Sequence, residues 1–128
     1  MVSSGQPIYH MCAKAEWQAA EAKGVYLGSS QDAAGGFIHF SSLDQVAASA
    51  AKHRTGQTEL VLLSVDPRAL GDALKWEQAW GGALFPHLYG PLPLAAVINV
   101  DDLLLGADGR HRFPSGFPPG LPAPETRE

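Results

Sequence analysis

The sequence predicts a small α+β domain, with two helices near the N-terminus and about five short strands. Three observations lead there. Residues 7–12, PIYHMC, alternate in the manner of a strand, and the stretch that follows repeats with helical period. Farther on, residues 59–65, ELVLLSV, are apolar at both alternating positions, as a strand covered on two sides must be. A chain of 128 residues suits one domain, and 45% hydrophobic residues supply a core.

The elements follow in order. In the first strand Ile8, His10 and Cys12 share one face, and Tyr9 and Met11 the other. A helix is expected from Ala13, with Ala13, Trp17 and Ala20 as its buried stripe and Gly24 as its stop. Residues 25–36 read as a loop with a short extended piece at Val25–Leu27. GFIHFS then reads as a strand with Phe37, His39 and Ser41 on one face. Ser42 with Gln45 signals a capping box for a second helix. Leu43, Val46 or Ala47, and Ala50 face its core, and Gly56 ends it. Asp66-Pro67 opens a single helical turn that closes near Gly71. Residues 73–77 read as a strand, AWGG at 79–82 as a turn, and 83–89 as an extended segment. AAVINV, 95–100, is expected as a last buried strand, with Asp101-Asp102 starting a turn. Half of the ten prolines lie beyond Gly106, so the domain is placed at 6–105 and residues 106–128 are read as a flexible or partly extended tail.

Composition excludes several classes. Net charge is −4 and the basic residues are scattered, which argues against a nucleic-acid partner. The apolar runs are too short to cross a bilayer, and MVSSGQPIYH has the form of no signal peptide. Cys12 is the single cysteine and can form no internal disulfide. A cytoplasmic location is expected, and the oligomeric state is left open.

Chemistry concentrates in the histidines. Of five, His53 and His111 have charged neighbours and are expected in solvent. His10, His39 and His87 stand in apolar settings: IYHMC, FIHFS and FPHLYG. A buried imidazole needs partners for its nitrogens, and one shared polar groove could supply them for all three. Alternation would then bring Cys12, Ser41 and Tyr89 to the same groove. Each of these residues reads equally as a core or strand-end residue, and Cys12 better as a small buried hydrophobe. Three histidines could hold zinc with an open position, but no H-x-H or H-x-x-x-H spacing occurs, and no metal site is assigned. No G-x-S-x-G elbow, G-x-G-x-x-G turn or P-loop is present. The segment GGALFPHLYGPLPL, 81–94, is either a proline-stiffened edge or a rigid wall presenting His87 and Tyr89; an imidazole favours the wall.

The motifs PIYHMCAKAEW, GGFIHFSS and LFPHLYGPLPL, in this order, resemble a bacterial family known as domain of unknown function nine-fifty-two over roughly residues 6–100. That family is grouped by fold with the ADP-ribosyltransferases and resembles in style the RNA 2′-phosphotransferases. The resemblance implies two N-terminal helices packed on short twisted strands that form a split-barrel-like sheet around a groove. Ile8-Tyr9-His10 is similar to the phosphotransferase strand Leu-Tyr-His-Gly-Thr, and Ile38-His39-Phe40-Ser41 to its Val-His-Leu-Ser strand. By that resemblance His10 would meet the nicotinamide ribose, and His39 would pack on the nicotinamide or orient the substrate. Glu77 would supply a catalytic carboxylate. Ser41, Trp76, His87 and Tyr89 complete the expected ligand-binding set, with Trp76 and Tyr89 as stacking surfaces. Met11-Cys12 departs from the Gly-Thr pattern, and the phosphate-gripping arginines have no clear match; Arg54 and Arg68 are available but read equally as helix-end or surface charges.

Three functions fit this reading. The first is an enzyme acting on the N-glycosidic bond of NAD or a related ADP-ribose compound, in which positive charge builds on the sugar beside a fixed carboxylate. The second is a non-catalytic small-ligand-binding module that keeps the groove. The third is a histidine-ligated, metal-dependent hydrolase.

Overall fold

A computed structural model describes residues 6–29, 32, 36–79 and 82–113. Its elements are β1 (Ile8–Ala13), α1 (Lys14–Lys23), β2 (Val25–Tyr26), β3 (Ile38–His39), α2 (Val46–His53), β4 (Leu60–Val65), β5 (Leu74–Gln78), β6 (Leu84–Leu88), β7 (Leu92–Pro93), β8 (Val97–Leu105) and β9 (His111–Arg112). The architecture is α+β. The strands form three small sheets, ordered β1-β4-β8-β9, β2-β7 and β3-β6-β5, with every pairing antiparallel. No closed barrel occurs among the described residues, whose strands fall into these three separate sheets. No helix among them is long and apolar enough to span a membrane.

β4 lies between β1 and β8 and is buried along its whole length because apolar side chains cover both faces. On one face Val61, Leu63 and Val65 join Ile8, Cys12, Trp17 and Tyr26. On the other, Leu60 and Leu62 join Tyr9, Met11, Val46 and Ala50. The alternation Ile8/Cys12 against Tyr9/Met11 is thus divided between two cores. α1 turns Trp17 and Ala20 inward and stops at Gly24, whose φ of 89° and N–H bond to the Ala20 carbonyl form a left-handed cap.

Several boundaries differ from expectation. Residues 42–45 form a turn in which the Ser42 N–H donates to Gln45 Oε1 at 2.9 Å, so α2 begins only at Val46 and Leu43 points outward. α2 ends at His53, before Gly56, with Arg54 as its cap. β8 runs straight through Asp101-Asp102, where a turn was expected, and is not a buried strand: Ile98 is 60% exposed. Its pairing with β4 carries it onward, while α1 packs over β1, β2 and β4. The sheet also continues past residue 105, since β9 pairs with Leu104-Leu105 and His111 is buried, with Nε2 bonded to the Gln57 carbonyl. His111 is therefore not in solvent. Trp80 and Gly81 of the expected AWGG turn lie outside the described residues, as do residues 114–128 of the tail.

β6 is neither an edge nor a loop. It is the central strand of its sheet, flanked by β3 and β5, with Pro86 in its middle. Pro86 accepts a hydrogen bond from the Phe40 N–H at 3.0 Å but has no N–H to return to the Phe40 carbonyl. The ladder ends there, and the chain leaves β6. One residue on, Ser41 exchanges two backbone hydrogen bonds with Tyr9 of β1, both 2.8 Å. Sequence thus fixes the point where one strand passes between two sheets.

Candidate functional site

A cleft of about 320 Å³ opens where β1 and the β3-β6-β5 sheet part, with α2 alongside. Lining it are His10 of β1, His39 to Ser41, Phe85 and His87 of β6, Ser49, His53 and Arg54 at α2, and Asp32 from the loop before β3. The three histidines singled out in the sequence therefore meet at one cavity, together with Ser41. Glu77, Trp76 and Tyr89 are not among its lining residues. Trp76 is half-buried against the main core. Glu77 stands behind His87, and Tyr89 is exposed beside it. Cys12 is fully buried, and burial raises its thiol to about 11, so it offers no thiolate.

The register explains the convergence of two of the rings. His39 on β3 lies directly opposite His87 on β6. Directly paired residues project from one face, and their ring centroids are 5.5 Å apart. Phe37 packs against both, 4.1 Å from the His87 ring and 4.5 Å from the His39 ring. Each imidazole is oriented by a carboxylate through Nδ1: His39 to Asp32 Oδ1 at 2.7 Å, and His87 to Glu77 Oε1 at 2.8 Å. Glu77 also accepts from the Tyr89 hydroxyl at 2.7 Å, and these two bonds hold its carboxyl below the ordinary range. With Nδ1 donating to a carboxylate, Nε2 of each ring is the nitrogen left for a ligand.

His10 is held differently. It is 2% exposed, and both nitrogens have protein partners. Nδ1 donates to the His39 carbonyl at 2.5 Å, which leaves Nε2 to accept from the Tyr26 hydroxyl at 2.7 Å. Burial pushes its pKa down and favours this neutral tautomer. Asp32 Oδ2 stands 3.7 Å from the same Nε2.

Asp32 is the site residue that the sequence reading missed. Burial alone would raise its carboxyl, but hydrogen bonds from the His39 ring, Ser29 N–H and His39 N–H bring it down to about 2. The available signal was a lone acid in a loop of small residues, seven positions before a strand histidine. Arg54, available as a phosphate grip but equally a helix-end or surface charge by sequence, caps α2, is 8% exposed and lines the cleft. Its signal was helical spacing, since Val46, Ala50 and Arg54 fall at i, i+4 and i+8.

Among the described residues, no group of three histidine, cysteine, aspartate or glutamate side chains is arranged to hold a metal. Both His10 nitrogens are engaged, and the Nδ1 atoms of His39 and His87 face carboxylates.

Fold and site together define an α+β protein with a histidine-lined cleft at the junction of two sheets. The family model described as protein of unknown function (DUF952) matches residues 11–100, and the chain belongs to that family. It is similar to protein CC0527 from Caulobacter crescentus. The crystal structure of that protein shares 48% identity with this chain, covering 84% of this chain and 94% of its own, with a TM-score of 0.80. Its solution structure gives 50% identity, coverage of 81% and 90%, and a TM-score of 0.73. No curated protein matches the chain.

Proposed function

We propose that the cleft binds an ADP-ribose-class nucleotide and that the protein acts at its ribose N-glycosidic bond. The observation that carries this reading is the opposed pair His39 and His87, each backed by a carboxylate, facing one cleft that also contains the ionised Asp32. The similarity of Ile8-Tyr9-His10 and Ile38-His39-Phe40-Ser41 to the phosphotransferase strands supports the same ligand class, and with it an ADP-ribosyltransferase-like fold. A cleft of about 320 Å³ takes a nucleoside-sized part of such a ligand, leaving the rest of a dinucleotide at the mouth.

The roles differ from those implied by the motifs alone. His39 and His87 contact the ligand through Nε2. Loss of nicotinamide builds positive charge on the ribose, and Asp32 supplies fixed negative charge near it. His10 and Glu77 are positioning residues: His10 holds the β3 backbone through the His39 carbonyl, and Glu77 sets the His87 ring. Trp76 packs half-buried against the core, away from the cleft, and takes no part.

One observation favours the second reading, a binding module without chemistry. Both Asp32 oxygens already accept hydrogen bonds from Ser29 and His39, as suits a structural carboxylate. Calorimetry with ADP-ribose, paired with an assay for nicotinamide release from NAD, separates the two. ADP-ribose binding at millimolar concentration or below is expected. His39→Ala or His87→Ala should weaken it at least about tenfold, or ~1.4 kcal/mol. Binding without nicotinamide release selects the module. Failure of folded wild-type protein to bind either nucleotide at millimolar concentration overturns the reading.

A further inference from the structure

Arg54 is a buried charge with no counter-ion of its own among the described residues. It caps α2, with only 8% of its surface exposed. One guanidinium nitrogen, Nη2, donates to the Met11 carbonyl at 2.7 Å, and Nη1 donates to Gln57 Oε1 at 3.1 Å. Both acceptors are neutral. A guanidinium has five N–H donors, so these bonds leave most of its donor capacity available. Among the described residues no carboxylate lies within ion-pair distance of Arg54. Asp32, the acid that acts on it most strongly across the cleft, is bound to His39 and Ser29.

Two other arginines show the contrast. Arg68 is exposed yet pairs with Asp66 at 3.1 Å, and Arg112 approaches Asp108 at 3.9 Å. Arg110 is exposed and can be solvated by water, so among the described residues Arg54 is the one guanidinium that is buried without a carboxylate partner. A buried charge is costly unless it is paired. The negative end of α2 compensates it only in part, by a fraction of a unit charge. A structural tie between α2 and Met11 could be made by a neutral donor, so the tie alone does not account for a full positive charge lining a cleft.

We propose that Arg54 receives an anionic phosphoryl oxygen of the ligand, so that the cleft selects phosphorylated ligands over the corresponding nucleosides. A planar guanidinium, fixed on one side by Met11 and Gln57, presents its remaining N–H groups as a fork suited to phosphate. His39, His87, Ser41 and Ser49 line the rest of the cleft. This inference rests on the nucleotide reading for its choice of ligand, but the anion site can be tested separately.

Calorimetric titrations with ADP-ribose, inorganic pyrophosphate and adenosine test it, on the wild type and on Arg54→Gln and Arg54→Lys. The wild type should bind ADP-ribose and pyrophosphate at least tenfold more tightly than adenosine. Arg54→Gln should lose at least tenfold of the affinity for both anions, and Arg54→Lys should fall between. Pyrophosphate binding that depends on Arg54, without ADP-ribose binding, keeps the anion site and removes the nucleotide reading. Adenosine binding as tightly as ADP-ribose, or pyrophosphate affinity unchanged in a folded Arg54→Gln protein, overturns the inference. Should Arg54→Gln fail to fold, the Arg54 Nε–H resonance of the wild type must shift as pyrophosphate is added; a stationary resonance also overturns it.

Discussion

Asp32 shows how much one side chain can organise. Its two oxygens accept from the Ser29 N–H and hydroxyl and from the His39 N–H and ring, tying the loop before β3 to the strand and fixing one imidazole. The pH consequence follows from its depressed pKa. A carboxyl at about 2 in the folded state, against an ordinary value of 3.8, contributes stability that is complete above pH 4 and is lost as pH falls through 2. That contribution is about 2 kcal/mol. Asp32→Asn should lower unfolding free energy at neutral pH by about this amount, since hydrogen bonds to charged groups are the strong ones. Urea denaturation between pH 2 and 6 checks it, with a smaller loss of stability below pH 4 in the variant than in the wild type. An identical pH dependence in both proteins would remove Asp32 from this role. The residue was hard to identify from sequence because its neighbours are small and polar, as in any loop. His10, His39 and His87 were legible because imidazoles in apolar strands require polar partners.

Regular elements were more legible where a local pattern matched the burial. Trp17, Ala20 and Gly24 define α1 because a helical stripe and a left-handed stop are written within one segment. Gly24 has φ of 89° and open space around its α-carbon, so Gly24→Ala should cost about 1 kcal/mol through backbone conformation alone. Thermal unfolding should show that loss, while ligand affinity stays at the wild-type value; a variant as stable as the wild type would contradict the cap. Elements whose form depends on distant partners were less legible. Ser42 and Gln45 carry the capping pattern, yet they make a turn, and α2 starts one residue later. β8 continues through two aspartates because β4 pairs with it at Leu62 and Val61. The brevity of β3 comes from Pro86, a residue of another strand more than forty positions away.

At the scale of the molecule, the site exists because two sheets share a connection. Ser41 belongs to the chain leaving β3 and bridges to Tyr9 of β1, and the cleft lies at that junction with α2 beside it. No single segment contains enough of this to reveal it. Sequence alternation placed His39 with Ser41, but also Cys12 with His10 and Tyr89 with His87. The structure brings His39 and Ser41 to the cleft, buries Cys12 and turns Tyr89 outward. Strand alternation gives a face; what that face meets depends on packing between sheets. The central claim is that His39 and His87 act together on one ligand. Proton NMR of the histidine Hε1 signals during an ADP-ribose titration tests it most directly. The account predicts that the His39 and His87 signals move along one shared saturation curve while that of His111 stays still. Signals of His39 and His87 that remain fixed while ADP-ribose saturates the protein would contradict it.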